Sequence, residues 1–330
     1  MKVLVTGTAG FIGSHVAMRL LERGDDVVGI DNLSDYYDVE LKKARLARFS
    51  GNPAYRHKPV DLADRVAVEA VFARHKPQRV INLAAQAGVR YAAENPHIYV
   101  STNVTGFLHV IEGCRHHGVE HLVYASTSSV YGADTAMPFS EHQPTEHPLT
   151  LYAASKKANE MMAHSYAHLY GLPCTGLRFF TVYGPWGRPD MAMWIFVKAL
   201  YAGEPLPLFN GGEMRRDFTY IDDIVRGVIA CLDGPPEDDS QVKAGGSTSP
   251  HALYNIGNSR SEDLMRVVEL LEQETGRKAL LDPKPMQIGD VHETFADISA
   301  MERDHGFKPA TSIDEGVPRF VKWYRDYHRL

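Results

Sequence analysis

The first thirteen residues constrain this chain most. A short apolar run, KVLVT, passes directly into GTAGFIG and from there into an amphipathic stretch. A glycine turn squeezed between a buried strand and a helix lets the backbone approach a pyrophosphate, and the helix N-terminus adds free amides and a favourable dipole. Gly7, Gly10 and Gly13 supply the close approach, with Phe11 and Ile12 between the last two. The spacing is GxxGxxG rather than GxGxxG. Placed between a strand and a helix at residue 7, it predicts a dinucleotide site.

Beyond the turn, apolar runs alternate with amphipathic ones: DVVGI, a helix after Asp64, RVINLA, a helix over 96–117, HLVYAS, a helix over 152–170, and CTGLRF. This alternation predicts βαβ units in a doubly wound parallel sheet, an α/β fold of the Rossmann type. The rhythm breaks near Thr181. Residues 1–181 are expected to form the nucleotide-binding domain, with 215–257 returning to it. Residues 182–214 and 258–330 are expected to form a smaller C-terminal α/β substrate domain. The polar, Pro/Gly/Ser-rich stretch at 234–251 reads as a surface loop.

Asp31 ends the second strand, 18 residues beyond Gly13. A carboxylate there accepts both ribose hydroxyls of NAD and repels the extra phosphate of NADP, so NAD is the expected cofactor. Asn32 follows it in the same turn. Asp61 and Leu62, after the third strand, suit the adenine edge.

The composition leaves a small diffusible substrate as the default partner. With 330 residues, a net charge of −6 and no basic run, the chain has no electrostatic footprint for nucleic acid. No apolar segment approaches the roughly 18 residues of a membrane span. Three scattered cysteines, Cys114, Cys174 and Cys231, form neither a disulfide framework nor a CxxC site, which fits a reducing cytoplasm. His164 and His168 are four apart on one helix, but no third ligand accompanies them and no metal is expected.

The stretch Tyr152-Ala-Ala-Ser-Lys156 carries the chemistry. Residues four apart on a helix share a face. A phenol of ordinary pKa ~10 is a poor base at neutral pH, and an ammonium beside it, together with a positive nicotinamide, favours its phenolate.

Taken in order, GTAGFIG, Asp31, INLAAQAGVR, STSSVYG, YAASK, LRFFTVYGP and RRDFTYIDD resemble the extended short-chain dehydrogenase/reductase family, and within it the sugar-nucleotide epimerases and dehydratases. The resemblance covers essentially the whole chain. It implies that Tyr152 is the general base on a sugar hydroxyl, that Lys156 holds the nicotinamide ribose and tunes Tyr152, and that Thr127 hydrogen-bonds the reacting oxygen. It adds Leu83, Ala84 and Ala85 to the cofactor contacts. It also implies a homodimer formed through the helices at 96–117 and 152–170.

Two departures narrow the choice. Dehydratases of the family carry an acidic pair after the threonine and decarboxylases usually keep a glutamate, whereas this chain has Thr127-Ser128-Ser129. Without a carboxyl at 128 or 129 there is no acid/base group to eliminate water, and three hydroxyls can donate to a substrate carboxylate. UDP-glucose 4-epimerases typically have asparagine where Thr181 stands. GPWGRPDMA and GIDNLSDYYDVELKKARL are similar to the UDP-glucuronate 4-epimerases, with Arg188 as counter-ion to the uronate or the diphosphate. By the same resemblance Arg216 meets the diphosphate and Asp290 the uridine ribose. Gln287 stands where many relatives have arginine, which leaves Arg188 or Arg90 for the second phosphate contact. A 4-epimerase on UDP-glucuronate is therefore expected, against a UDP-glucose 4-epimerase, a UDP-glucuronate decarboxylase, or a catalytically silent NAD-binding regulator.

Overall fold

The computed structural model describes residues 1–88, 91–132, 136–287 and 289–330. Strand β1 (Lys2–Thr6) feeds through the glycine turn into α1 (Phe11–Arg23). Among the described residues no side chain caps the N-terminus of α1, so its first amides stay open to an anion. Gly24, in the left-handed conformation at φ 92°, ends the helix.

The pattern repeats with β2 (Asp26–Ile30), α2 (Val39–Ala47), β3 (Tyr55–Lys58), α3 (Arg65–His75) and β4 (Arg79–Asn82). Asp38 and Asp64 cap α2 and α3 through their carboxylates. The helix expected over 96–117 is not continuous. A short α4 (Pro96–Ile98) passes into a π-helical turn over Tyr99–Thr105 before α5 (Gly106–His116). The wider turn falls on a run rich in β-branched residues, YVSTNVT, which crowd a regular helix. It carries Asn103, whose Oδ1 accepts from Gln86 N at 2.8 Å and whose Nδ2 donates to Ser155 Oγ at 3.0 Å.

Next come β5 (His121–Thr127), α6 (Leu151–Tyr170), β6 (Cys174–Phe179) and β7 (Thr181–Tyr183), then α7 (Ala192–Ala202), β8 (Pro205–Phe209), β9 (Arg215–Arg216), β10 (Phe218–Tyr220) and α8 (Ile221–Asp233). The chain ends with β11 (His251–Ile256), β12 (Glu262–Asp263), α9 (Leu264–Thr275), β13 (Leu280–Lys284), α10 (Ser299–His305) and α11 (Ile313–His328).

Seven strands form one parallel sheet in the order β11-β6-β5-β4-β1-β2-β3. Both faces are covered, which explains the near-continuous apolar strands. Val3 and Val5 of β1 point into one core, and Leu4 between them points into the other. The strand order reverses between β1 and β4, so a crevice opens beyond their carboxyl ends. Thr6 closes its floor: its hydroxyl donates to Asn82 Oδ1 at 2.7 Å and accepts from Leu83 N and Ala84 N at 3.1 and 3.0 Å.

Beyond Thr181 the chain leaves this sheet. β7 pairs with β10, β9 with β12 and β8 with β13, while α7, α9 and α11 pack together over the crevice. β11 rejoins the main sheet beside β6, and α8 packs on α1 and β5.

Candidate active site

One cleft of about 910 Å³ runs from the glycine turn to the loops around Gln287 and Asp290. The turn is built for close approach. Gly7 sits at φ 77°, and a Cβ there would lie 2.8 Å from Ala84 N; a Cβ on Gly13 would lie 2.0 Å from Gly7 O. Only glycine leaves the α1 amides accessible to a pyrophosphate. Phe11, Ile12, Leu62, Leu83, Ala84 and Ala85 line the same end of the cleft.

Asp31 is pre-oriented by backbone amides, accepting from Ala9 N at 2.9 Å and Leu33 N at 2.8 Å. Asn32 Nδ2 donates to Asp61 Oδ2 at 2.9 Å. A carboxylate held at the end of β2 beside an open helix N-terminus fits a dinucleotide whose adenosine ribose keeps its free hydroxyls.

Thr150 caps α6, accepting from Ala153 N at 3.2 Å, and sets Tyr152 and Lys156 one turn apart on the face toward the cleft. Burial raises the Tyr152 phenol above its ordinary value; the Arg188 guanidinium and a hydrogen bond with Thr127 pull it back. Lys156 is 2 % exposed, and burial lowers its ammonium to about 8, against the opposing pull of Glu160. The sequence assigns to Lys156 the charge that favours the phenolate. In the structure the Arg188 guanidinium also favours the Tyr152 phenolate.

Helix α6 is tied from behind. Ser155 donates to Tyr152 O at 2.7 Å and accepts from Asn103, while Ser126, next to Thr127, donates to Glu160 at 2.6 Å. The Tyr99 ring meets Tyr152 edge-on at 6.3 Å.

Thr127, Ser128, Ser129 and Thr181 line the same cleft with their hydroxyl-bearing side chains. Thr127 Oγ1 donates to Ser129 Oγ at 3.2 Å and accepts from Ser129 N at 3.2 Å. Arg188 is held by Asp190 through Nε to Oδ1 at 3.0 Å and Nη2 to Oδ2 at 2.5 Å. At the far end Arg216 donates to Asp290 at 2.7 Å, so these two pair with each other as well as lining the cleft. Gln287 Oε1 is buried there, with no hydrogen-bond partner among the described residues. Arg90 lies outside the described residues. The other residues that the sequence proposes for cofactor, substrate or catalysis all line this one cleft.

Sequence reasoning missed Tyr36, which donates to Asp190 Oδ2 at 3.2 Å, and Asp190 itself. Tyr36 and Asp190 meet across 154 residues of chain and carry no local signal. Lys42, which also lines the cleft, could have been found as the positive position on α2 facing Asp31.

Residues 3–257 match the model of the NAD dependent epimerase/dehydratase family. The chain is 47% identical over 335 residues to the "Probable UDP-glucuronate 4-epimerase" of Rhizobium meliloti (strain 1021), covering 100% of this chain and 98% of that protein. It is 45% identical to UDP-glucuronate 4-epimerase 4 of Arabidopsis thaliana, over 99% of this chain and 76% of that one. Its structure is similar to the crystal structure of UDP-glucuronic acid 4-epimerase from Bacillus cereus in complex with UDP-glucuronic acid and NAD: TM-score 0.89, 30% identity, 99% of this chain and 100% of that one.

Proposed function

Because this chain belongs to the NAD dependent epimerase/dehydratase family, we infer that it is a UDP-glucuronate 4-epimerase, interconverting UDP-glucuronate and UDP-galacturonate through a transient 4-keto sugar. The observation that carries this reading is a cleft lined together by the glycine turn, the Tyr152–Lys156 pair and the hydroxyl side chains of Thr127, Ser128, Ser129 and Thr181.

NAD, when bound, supplies reversible hydride exchange at C4 with no net redox change. Gly7, Gly10, Phe11, Ile12 and Gly13 would hold its pyrophosphate, Asp31 and Asn32 the adenosine ribose, and Asp61, Leu62, Leu83, Ala84 and Ala85 the adenine side and the floor. Tyr152 takes the proton of the C4 hydroxyl and returns it after the sugar presents its other face; Thr127 hydrogen-bonds the same oxygen. Lys156 and Arg188 supply the positive surroundings that make the phenolate accessible within a buried site.

A 4-keto uronate is a β-keto acid. When its carboxylate stands perpendicular to the carbonyl plane, the C5–C6 bond breaks, carbon dioxide leaves, and the electron pair passes into the ketone. Thr127, Ser128, Ser129 and Thr181, with Arg188 as counter-ion, hold the carboxylate out of that alignment. Arg216, Gln287 and Asp290 take the nucleotide end.

A homodimer is part of this reading. Its support is the set of exposed apolar residues on the outer faces of α5 and α6, among them Leu108, Met161 and Leu169. The proposed compartment is the cytoplasm, in keeping with three free, buried cysteines. Among the described residues no helix is long and apolar enough to cross a membrane.

The deciding experiment is incubation of the purified protein with UDP-glucuronate without added NAD, followed by separation of the nucleotide sugars. UDP-galacturonate is expected. A UDP-pentose as the main product would make the protein a decarboxylase, and no turnover even with added NAD would leave a regulator.

A further inference from the structure

One buried guanidinium joins two walls of the cleft. Arg45, on α2, is 0 % exposed, and its donors reach main-chain oxygens of two separate loops. Nη1 donates to Ala9 O at 3.1 Å, Nε to Trp186 O at 3.0 Å and Nη2 to Gly187 O at 2.7 Å; Nη1 also meets the Tyr37 hydroxyl at 2.6 Å. Ala9 lies inside the glycine turn, and Trp186 and Gly187 immediately precede Arg188.

The loop it holds would not adopt this shape unaided. Trp186 sits at φ 64°, a left-handed conformation that a bulky aromatic residue rarely takes. Arg48, three residues beyond Arg45, places its guanidinium 4.9 Å from the centre of the Trp186 indole. Thus α2 and the residue that caps its C-terminus grip Trp186 together, Arg45 by the backbone and Arg48 by the ring.

Burying a cation whose hydrogen bonds go to three carbonyls and a phenol is costly, and an apolar side chain would fill the space at less desolvation cost. The guanidinium adds a planar fork with donors in fixed, diverging directions, and here the fork spans both loops at once.

We propose that Arg45 is a positioning residue for the uronate: it locks the loop carrying Arg188 to the glycine turn, so that the arm reaching the sugar carboxylate is set by the shape of the nucleotide-binding turn. This rests on the reading of Arg188 as the carboxylate's counter-ion. Arg188 faces the same cleft as Tyr152, so a shift of its loop changes how the 4-keto sugar is held.

The test compares holoenzymes of the wild type, Arg45→Lys, Arg45→Met, Arg188→Ala and the Arg45→Lys/Arg188→Ala double variant. Lysine keeps the buried charge and loses the fork; methionine removes both. Calorimetric titration with UDP alone reports the nucleotide end, and kinetics with UDP-glucuronate report KM, kcat and the fraction of UDP-pentose released. For Arg45→Lys we expect UDP affinity within twofold of wild type, KM for UDP-glucuronate raised about tenfold, and a larger pentose fraction. The double variant should be no worse than Arg188→Ala alone, because one effect acts through the other.

Unchanged KM and pentose fraction in both Arg45 variants, beside an impaired Arg188→Ala, would overturn the role of Arg45 and leave that of Arg188 standing. Equal weakening of UDP and UDP-glucuronate, or multiplying effects in the double variant, would overturn it too. An Arg188→Ala enzyme indistinguishable from wild type would remove the reading on which the proposal rests.

Discussion

The Arg178 guanidinium grips the Glu160 carboxylate behind α6 through two hydrogen bonds, Nε to Oε1 at 2.8 Å and Nη2 to Oε2 at 2.9 Å, with both side chains 2 % exposed. Glu160 lies one turn beyond Lys156, and Arg178 lies on β6, so the pair bolts α6 to the sheet. Burial alone would raise the Glu160 pKa; the hydrogen bonds and charge of Arg178, with Lys157 and Ser126, outweigh it and hold the carboxyl below its ordinary value. Glu160→Gln leaves a buried cation short of its partner and should cost about 3 kcal/mol or more in urea unfolding. A carboxyl whose folded pKa is depressed stabilises above the unfolded value, and that contribution is lost as pH falls through the folded one. The wild-type advantage over Glu160→Gln should therefore be full near neutrality and shrink below about pH 4.3. An advantage that does not change with acidification would show that the pair contributes packing rather than charge.

The role proposed for Lys156 predicts an alkaline limit to the reaction. Its ammonium, lowered by burial to about 8, is charged below that pH and neutral above it. kcat/KM for UDP-glucuronate should then fall as pH rises through about 8. Arg, charged throughout the accessible range, should move the limb upward in Lys156→Arg even where the absolute rate drops. Because the Glu160 charge raises the lysine, Glu160→Gln should shift the limb to lower pH. A limb that stays in place in Lys156→Arg belongs to another group.

Much of this site was legible before folding because its parts are local. A strand, a glycine turn and a helix are contiguous, and Tyr152 and Lys156 need only one helical turn to meet. What pairs across the chain was not legible. Tyr36 reaches Asp190, Arg45 reaches Trp186 and Gly187, and Glu160 is neutralised by Arg178 on another element. None of these pairs leaves a periodicity or spacing in the sequence. The π-helical turn at Tyr99–Thr105 was hidden for a related reason, since its apolar pattern matches that of an ordinary helix and the side chain it turns inward, Asn103, is satisfied only by a loop and by α6.

The glycine turn makes a strict prediction. A methyl on Gly13 would stand 2.0 Å from Gly7 O, a backbone atom with nowhere to retreat, so Gly13→Ala must open the turn. Overpacking of this kind costs about 1–3 kcal/mol. Here it should also spoil the pyrophosphate cradle, and the variant should purify with little NAD, measured by releasing and quantifying the nucleotide. Gly51→Ala is the control, because a Cβ there meets nothing within 4 Å. If Gly13→Ala retains a full complement of cofactor, the pyrophosphate is bound elsewhere.

The proposed role of the hydroxyl wall, to favour epimerisation over loss of carbon dioxide, is open to a direct test. Thr127 and Ser129 are hydrogen-bonded to each other, with Ser128 and Thr181 lining the same cleft. A glutamate at position 129 would place an anion against the uronate and supply an acid/base group, while alanine at 181 would remove one donor. Ser129→Glu and Thr181→Ala should therefore both raise the UDP-pentose fraction several-fold over wild type, with Ser129→Glu also raising KM by about tenfold through like-charge repulsion worth roughly 1.4 kcal/mol. Chromatographic separation of the products over a full time course measures both quantities. Intact epimerisation without pentose in both variants would mean that the carboxylate is restrained by Arg188 alone, because the cation would then suffice to keep it out of line with the ketone.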